Sequence, residues 1–131
     1  MGSGELFTHL LRPLKRVCNP VLLDLPGHGR SEGSSRAEHY LPEQLVHDLR
    51  SILERLQLSP LLLYGYSMGG RLALHFTLAS PGLVNGLVLE GAGPGPEDPA
   101  ERTRRREEEE KRAEEIEADY LRFLERWMSL P

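Results

Sequence analysis

Leu61-Leu62-Leu63-Tyr64-Gly65-Tyr66-Ser67-Met68-Gly69-Gly70-Arg71 is the stretch on which the reading of this chain turns. An apolar run enters it, and a helical pattern, Leu72, Ala73, Phe76 and Leu78, leaves it and ends at Pro81. Strand, sharp turn and helix are therefore predicted in immediate succession. In a Gly-x-Ser-x-Gly sequence at such a junction the backbone bends so tightly that the serine takes strained φ/ψ, and only small neighbours avoid a clash. Gly65 and Gly69 are expected to provide that clearance. The turn lifts the Ser67 hydroxyl to the carboxyl end of a sheet and aims the Met68 N–H, at a helix N-terminus, toward the same spot. A catalytic serine with one oxyanion donor is the reading. The plain alternative, a small-residue turn that merely joins strand to helix, does not require a good helix to begin at once after Gly69-Gly70.

Working outward, Val21-Leu22-Leu23-Asp24-Leu25 is a short apolar run closed by Pro26-Gly27-His28-Gly29, as for a buried strand entering a turn. Leu45, Val46, Leu49, Ile52, Leu53 and Leu56 form one stripe of an amphipathic helix. Leu83 to Leu89 supplies a third strand. From residue 21 to 90 the order is thus strand, helix, strand, helix, strand, the mark of an α/β fold with parallel strands and crossover helices. Upstream, Leu6, Phe7, Leu10, Leu11 and Leu14 predict a short helix that stops near Pro13.

Gly91-Ala92-Gly93-Pro94-Gly95-Pro96 breaks the pattern, and Glu101 to Glu117 is rich in charge. Regions 1–93 and 94–131 are read as separate. Ile116, Tyr120, Phe123, Leu124 and Trp127 predict one last amphipathic helix. There are no internal repeats.

The chain has 131 residues, 39% hydrophobic and 27% charged, with 20 acidic against 16 basic side chains and a net charge of -4. No global positive field exists to gather nucleic acid or an anionic membrane, so neither is an expected partner. The longest apolar runs fall far short of the roughly 20 residues that span a bilayer. Cys18 is the single cysteine, and no secretory signal pattern opens the chain; a cytoplasmic, reducing compartment is expected. Cys18 itself reads as a small, semi-buried thiol beside a strand.

A serine needs an imidazole within reach and a carboxylate to orient that imidazole. In this fold the chain order is serine, then acid, then histidine. The five histidines are His9, His28, His39, His47 and His75, and none follows residue 75. All five are expected to be exposed or to pack, with His28 making a turn-stabilising hydrogen bond.

Several motifs carry a family resemblance: Asp24-Leu25-Pro26-Gly27-His28-Gly29-Arg30-Ser31, Gly65-Tyr66-Ser67-Met68-Gly69-Gly70-Arg71, Leu87-Val88-Leu89-Glu90-Gly91-Ala92, Glu101-Arg102 with Arg105-Arg106, and Phe123-Leu124-Glu125-Arg126-Trp127. Together they resemble the MenH family of the α/β-hydrolase superfamily, the 2-succinyl-6-hydroxy-2,4-cyclohexadiene-1-carboxylate synthases of menaquinone and phylloquinone biosynthesis. The first two motifs are widespread in α/β-hydrolases; Arg71 after the double glycine, the paired arginines and Trp127 are more particular. The resemblance implies a partial α/β-hydrolase core over 1–93 and a helical lid over 94–131. It implies a lyase reaction in which the activated serine removes a ring proton and pyruvate leaves without hydrolysis, needing neither cofactor nor metal. A plastid location is implied if the source is photosynthetic.

The implied substrate is a small polycarboxylate, and guanidinium groups grip carboxylates in a bidentate fork. Arg71, one helical turn beyond Ser67, is placed for that task. Arg102, Arg105 and Arg106 fall in the implied lid, Trp127 matches its aromatic residue, and Tyr66 inside the serine motif completes the candidate substrate contacts. The bland alternatives stand beside these: a solvated Arg71, an exposed helix laced with Arg–Glu pairs, and a Trp127 that only packs its helix.

Family members extend past both ends of this chain. The resemblance places a strand and a His-Gly loop before Met1 and the acid and histidine after Pro131, so this chain is expected to be a fragment, inactive alone and poorly stable. The implied early strand lies between those at residues 21 and 61, and buried unpaired backbone groups cost about 1 to 3 kcal/mol each. Two other functions remain open: a carboxylesterase or C–C hydrolase of the same fold, and a non-catalytic binding product.

Overall fold

A computed structural model describes residues 2–129; Met1, Leu130 and Pro131, at the outer ends of the regions 1–93 and 94–131, lie outside it. The chain forms α1 (Thr8–Leu14), α2 (Pro42–Arg55), β1 (Leu61–Tyr66), α3 (Met68–Ala79), β2 (Val84–Glu90), α4 (Pro99–Ala118) and α5 (Tyr120–Met128). Two units separate at one point, the first ending at Ala92 and the second beginning at Gly93.

In the first unit β1 and β2 pair in parallel, from Leu61 opposite Val84 to Tyr66 opposite Glu90. Parallel neighbours require a crossover, and α3 provides it. It packs on both strands and on α2. The core is Leu49 and Leu53 of α2 with Phe76 of α3, which is 0% exposed; Val46, Leu58, Leu61, Leu63, Leu83 and Val84 close around them. Each α2 residue in that list lies on the expected 3.6-residue stripe. Leu78, expected on the buried side of α3, is exposed instead, two residues past Phe76 and so across the helix axis.

Two strand expectations need correction. The leucine run of β1 predicts burial on both faces, but only Leu61, Leu63 and Gly65 lie on the covered side, while Leu62 is 73% exposed. Helix α3 covers one face alone. On the other, Phe7 meets the Tyr64 ring edge-on, with centroids 5.5 Å apart. The second correction concerns Val21–Leu25, which joins no ladder: among the described residues the sheet has two strands. An extended segment becomes a strand only when a neighbour pairs its backbone. Local bonds hold this one in place. The Asp24 carboxylate accepts from the Gly4 N–H at 2.6 Å and the Arg30 N–H at 3.0 Å, and the Asp24 carbonyl accepts the Ser31 hydroxyl at 2.8 Å.

Those two N–H bonds, Gly4's above all, hold the Asp24 carboxyl below the usual carboxylate range. A depressed carboxyl contributes stability that is full above the unfolded value near 3.8 and fades as pH falls through the lowered folded value. Asp24→Asn is therefore expected to lower the urea midpoint at pH 7 and to lose that penalty progressively below about pH 4, where the wild-type carboxyl becomes neutral too. Denaturation curves of both proteins across that range check it; a gap that widens in acid refutes it.

Further corrections are local. The first helix runs through Pro13 to Leu14, preceded by a 3-10 turn at Gly4–Phe7. Cys18 is exposed just after α1, its thiol turned to the Leu14 carbonyl at 3.4 Å, and lies beside no strand.

The second unit holds α4 and α5. Asp98 caps α4 through the Ala100 N–H at 3.1 Å, with Pro99 in the first helical position. None of the residues of α4 is buried. The expected single helix from Ile116 to Trp127 is broken at Asp119, whose extended backbone (φ -158°) ends α4 and whose side chain caps α5 through the Arg122 N–H at 3.1 Å. Ile116 belongs to the earlier helix. Phe123 is the buried residue of α5 and stacks on Trp127, with centroids 5.7 Å apart. Arg126 bonds Glu115 across the break and holds the Glu115 carboxyl low. No helix among the described residues is long and apolar enough to cross a membrane.

Candidate active site

Ser67 sits between β1 and α3 with φ 49° and ψ -114°, a left-handed conformation that costs a non-glycine residue about 1 to 3 kcal/mol. Its N–H donates to the Glu90 carbonyl at 2.8 Å, and its own carbonyl receives the Arg71 N–H at 3.1 Å, which starts the helical ladder. The hydroxyl makes no capping bond although Ser67 occupies the N-cap position. It is exposed. Met68 is the first residue of α3, so its N–H is among those that the helix's own ladder leaves without a partner.

The glycines divide the work differently from the motif's symmetry. A Cβ on Gly65 would lie 2.5 Å from the Gly69 carbonyl oxygen and 2.6 Å from the Gly70 Cα. One on Gly70 would lie 2.5 Å from the Ala92 Cβ. One on Gly69 would meet nothing within 4 Å. Clearance at the turn therefore comes from Gly65 and Gly70, which corrects the expectation for Gly69.

Around the serine, Tyr66 is exposed at the end of β1 with its ring beside Gly91, and Arg71 is exposed on the first turn of α3. Among the described residues Arg71 has no ion-pair partner. Ser67, Met68, Arg71 and Tyr66 thus share one junction. The other candidates lie in the second unit. Arg102 donates to the carbonyls of Pro96 at 2.8 Å and Glu97 at 2.9 Å, bracing the loop before α4. Arg105 pairs with Glu101 at 3.2 Å, Arg106 is exposed, and Trp127 carries the Arg112 guanidinium 5.3 Å over its ring. Pairs at i,i+3 and i,i+4 do lace α4, Arg104 with Glu101 and Glu108 among them.

No described histidine bonds Ser67. His28 Nδ1 lies 3.0 Å from the Pro26 carbonyl, the expected turn bond if that nitrogen carries the proton; His47 faces Asp48 at 3.6 Å, and His9 and His75 are exposed. No group of three or more His, Cys, Asp or Glu side chains among the described residues is arranged to hold a metal.

Two residues near Ser67 were not among the site candidates: Glu90, whose carbonyl receives the Ser67 N–H, and Tyr64, whose hydroxyl donates to the Glu90 carboxylate. A hydroxyl inside a leucine run was the available signal for Tyr64. Glu90 depended on the strand register, which composition does not carry.

A strand, a left-handed serine and a helix over a parallel sheet define a class, and residues 1–128 match the alpha/beta hydrolase fold family, to which this chain belongs. Within it, the chain is 37% identical over 133 residues to a Bacillus subtilis (strain 168) protein provisionally classed as 2-succinyl-6-hydroxy-2,4-cyclohexadiene-1-carboxylate synthase, covering 99% of this chain and 47% of that one. It is 33% identical to the synthase of that name from Pectobacterium atrosepticum, covering 92% of this chain and 46% of that one. Among solved structures it resembles a marine microorganism esterase, with a TM-score of 0.67 and 30% identity over 79% of this chain and 40% of the other. The chain spans about half the length of the curated relatives it matches.

Proposed function

We propose that this chain carries the serine half of a pyruvate-eliminating synthase that yields 2-succinyl-6-hydroxy-2,4-cyclohexadiene-1-carboxylate in menaquinone or phylloquinone biosynthesis. The observation that supports it most is an uncommitted Ser67 hydroxyl with an unpaired, exposed Arg71 one helical turn away, in a chain similar to such synthases. In the reaction a proton leaves a ring carbon, a carbon–oxygen bond breaks and pyruvate departs. Ser67, activated by an imidazole that a carboxylate orients, takes the proton. Negative charge gathers on a carbonyl oxygen, which the Met68 N–H stabilises. Arg71 holds a substrate carboxylate beside Tyr66. The segment from residue 94 is the proposed lid, and Arg102, Arg105, Arg106 and Trp127 are its candidate substrate contacts. The lone thiol of Cys18 suits a cytoplasmic location.

The esterase likeness supports a second reading, hydrolysis of a neutral ester, which shares Ser67 and needs no cation. Placing this chain in the Bacillus relative, in exchange for the segment it matches, separates the two. The synthase reading expects pyruvate release, and Arg71→Ala is expected to raise KM for the carboxylated substrate at least about tenfold while leaving neutral-ester cleavage unchanged. Ester cleavage without pyruvate release makes the second reading the right one.

A further inference from the structure

We propose that Glu90 and Tyr64 act together as positioning residues that fix the height of Ser67 above the sheet. Glu90 is the last residue of β2, and the next residue, Gly91, leaves the ladder at φ 58°. The Glu90 carbonyl is nevertheless what the Ser67 N–H grips, at 2.8 Å. The last residue of a strand opens more readily than its interior, so a hold besides the ladder steadies its carbonyl. Here the side chain supplies the hold: the Tyr64 hydroxyl donates to Glu90 Oε2, tying the end of β2 back to the middle of β1. Tyr64 is in turn fixed by its edge-on contact with Phe7. The linkage Phe7–Tyr64–Glu90–Ser67 thus runs along the sheet face opposite α3. The Glu90 bond also raises the Tyr64 hydroxyl above its ordinary value, so the donor keeps its proton throughout the neutral range.

This inference rests on Ser67 being the reacting group, and its test involves no turnover, so it succeeds or fails apart from the synthase reading. Backbone amide hydrogen exchange, resolved by NMR on the 131-residue chain, reads the Ser67 N–H directly. Tyr64→Phe keeps the ring against Phe7 and removes only the hydroxyl. It is expected to speed exchange at Ser67 at least about tenfold while leaving Leu63 and Val88, whose N–H groups face the ladder, unchanged. Glu90→Ala should do the same. Glu90→Gln should restore protection, because its amide oxygen still accepts from Tyr64. Unchanged exchange at Ser67 in Tyr64→Phe, a rise shared equally by Leu63 and Val88, or a Glu90→Gln protein that behaves like Glu90→Ala overturns the proposal.

Discussion

Ser67→Ala, made in this chain after its exchange into the Bacillus relative, is expected to cut pyruvate release by about 10^4-fold or more, the scale on which losing the reacting hydroxyl of a triad is felt. The hydroxyl makes no capping bond, so its removal withdraws no support from α3. The left-handed backbone at φ 49° is unfavourable for serine and alanine alike. Stability should therefore stay within about 1 kcal/mol of the parent while turnover collapses. Steady-state assay and thermal melting of the same two proteins give both numbers. Turnover within tenfold of the parent would remove Ser67 from the chemistry, whatever the substrate.

Gly65→Val is expected to have the largest effect on folding. Its Cβ would enter backbone atoms, 2.5 Å from the Gly69 oxygen and 2.6 Å from the Gly70 Cα, neither of which can rotate aside. Relief requires prising α3 from β1, the contact on which the Phe76 core depends, at a cost of about 3 kcal/mol or more. Against a total of about 5 to 15 kcal/mol for an ordinary domain, that is at least about a fifth of the whole. Gly69→Ala is the internal control: its Cβ meets open space, and alanine is the better helix former by about 1 kcal/mol, so the protein should be unharmed or slightly steadier. Equilibrium denaturation that ranks the two the other way would mean the turn is built differently.

The same pair of glycines shows what could be read in the residues beforehand. The β1 boundaries and the helical pattern after Ser67 were legible because an apolar run and a 3.6-residue stripe are local signals. Which glycine touches the sheet was not, since that depends on how α3 turns its first residues toward Gly65 and Ala92. Val21–Leu25 has a strand's composition, but pairing is a property of two segments, and no described strand bonds to it. Asp119 could have been noticed as a cap, yet the apolar spacing from Ile116 to Trp127 runs across it and hid the break. Of the candidate site, Ser67, Met68, Tyr66 and Arg71 came together because they are neighbours in sequence on a single turn. Glu90 lies in a different strand, where only the register reveals it.

Helix α4 has one more consequence. With no buried residue along its length, its persistence depends on peptide hydrogen bonds, the Asp98 cap, the Arg and Glu pairs on its surface and the contacts of Glu115 and Arg112 with α5. Such pairs are individually weak and screened by dissolved ions over about 10 Å at 0.1 M. Ionic strength thus becomes a dial on the helicity of this segment, while the apolar Phe76 core holds no ion pair for it to screen.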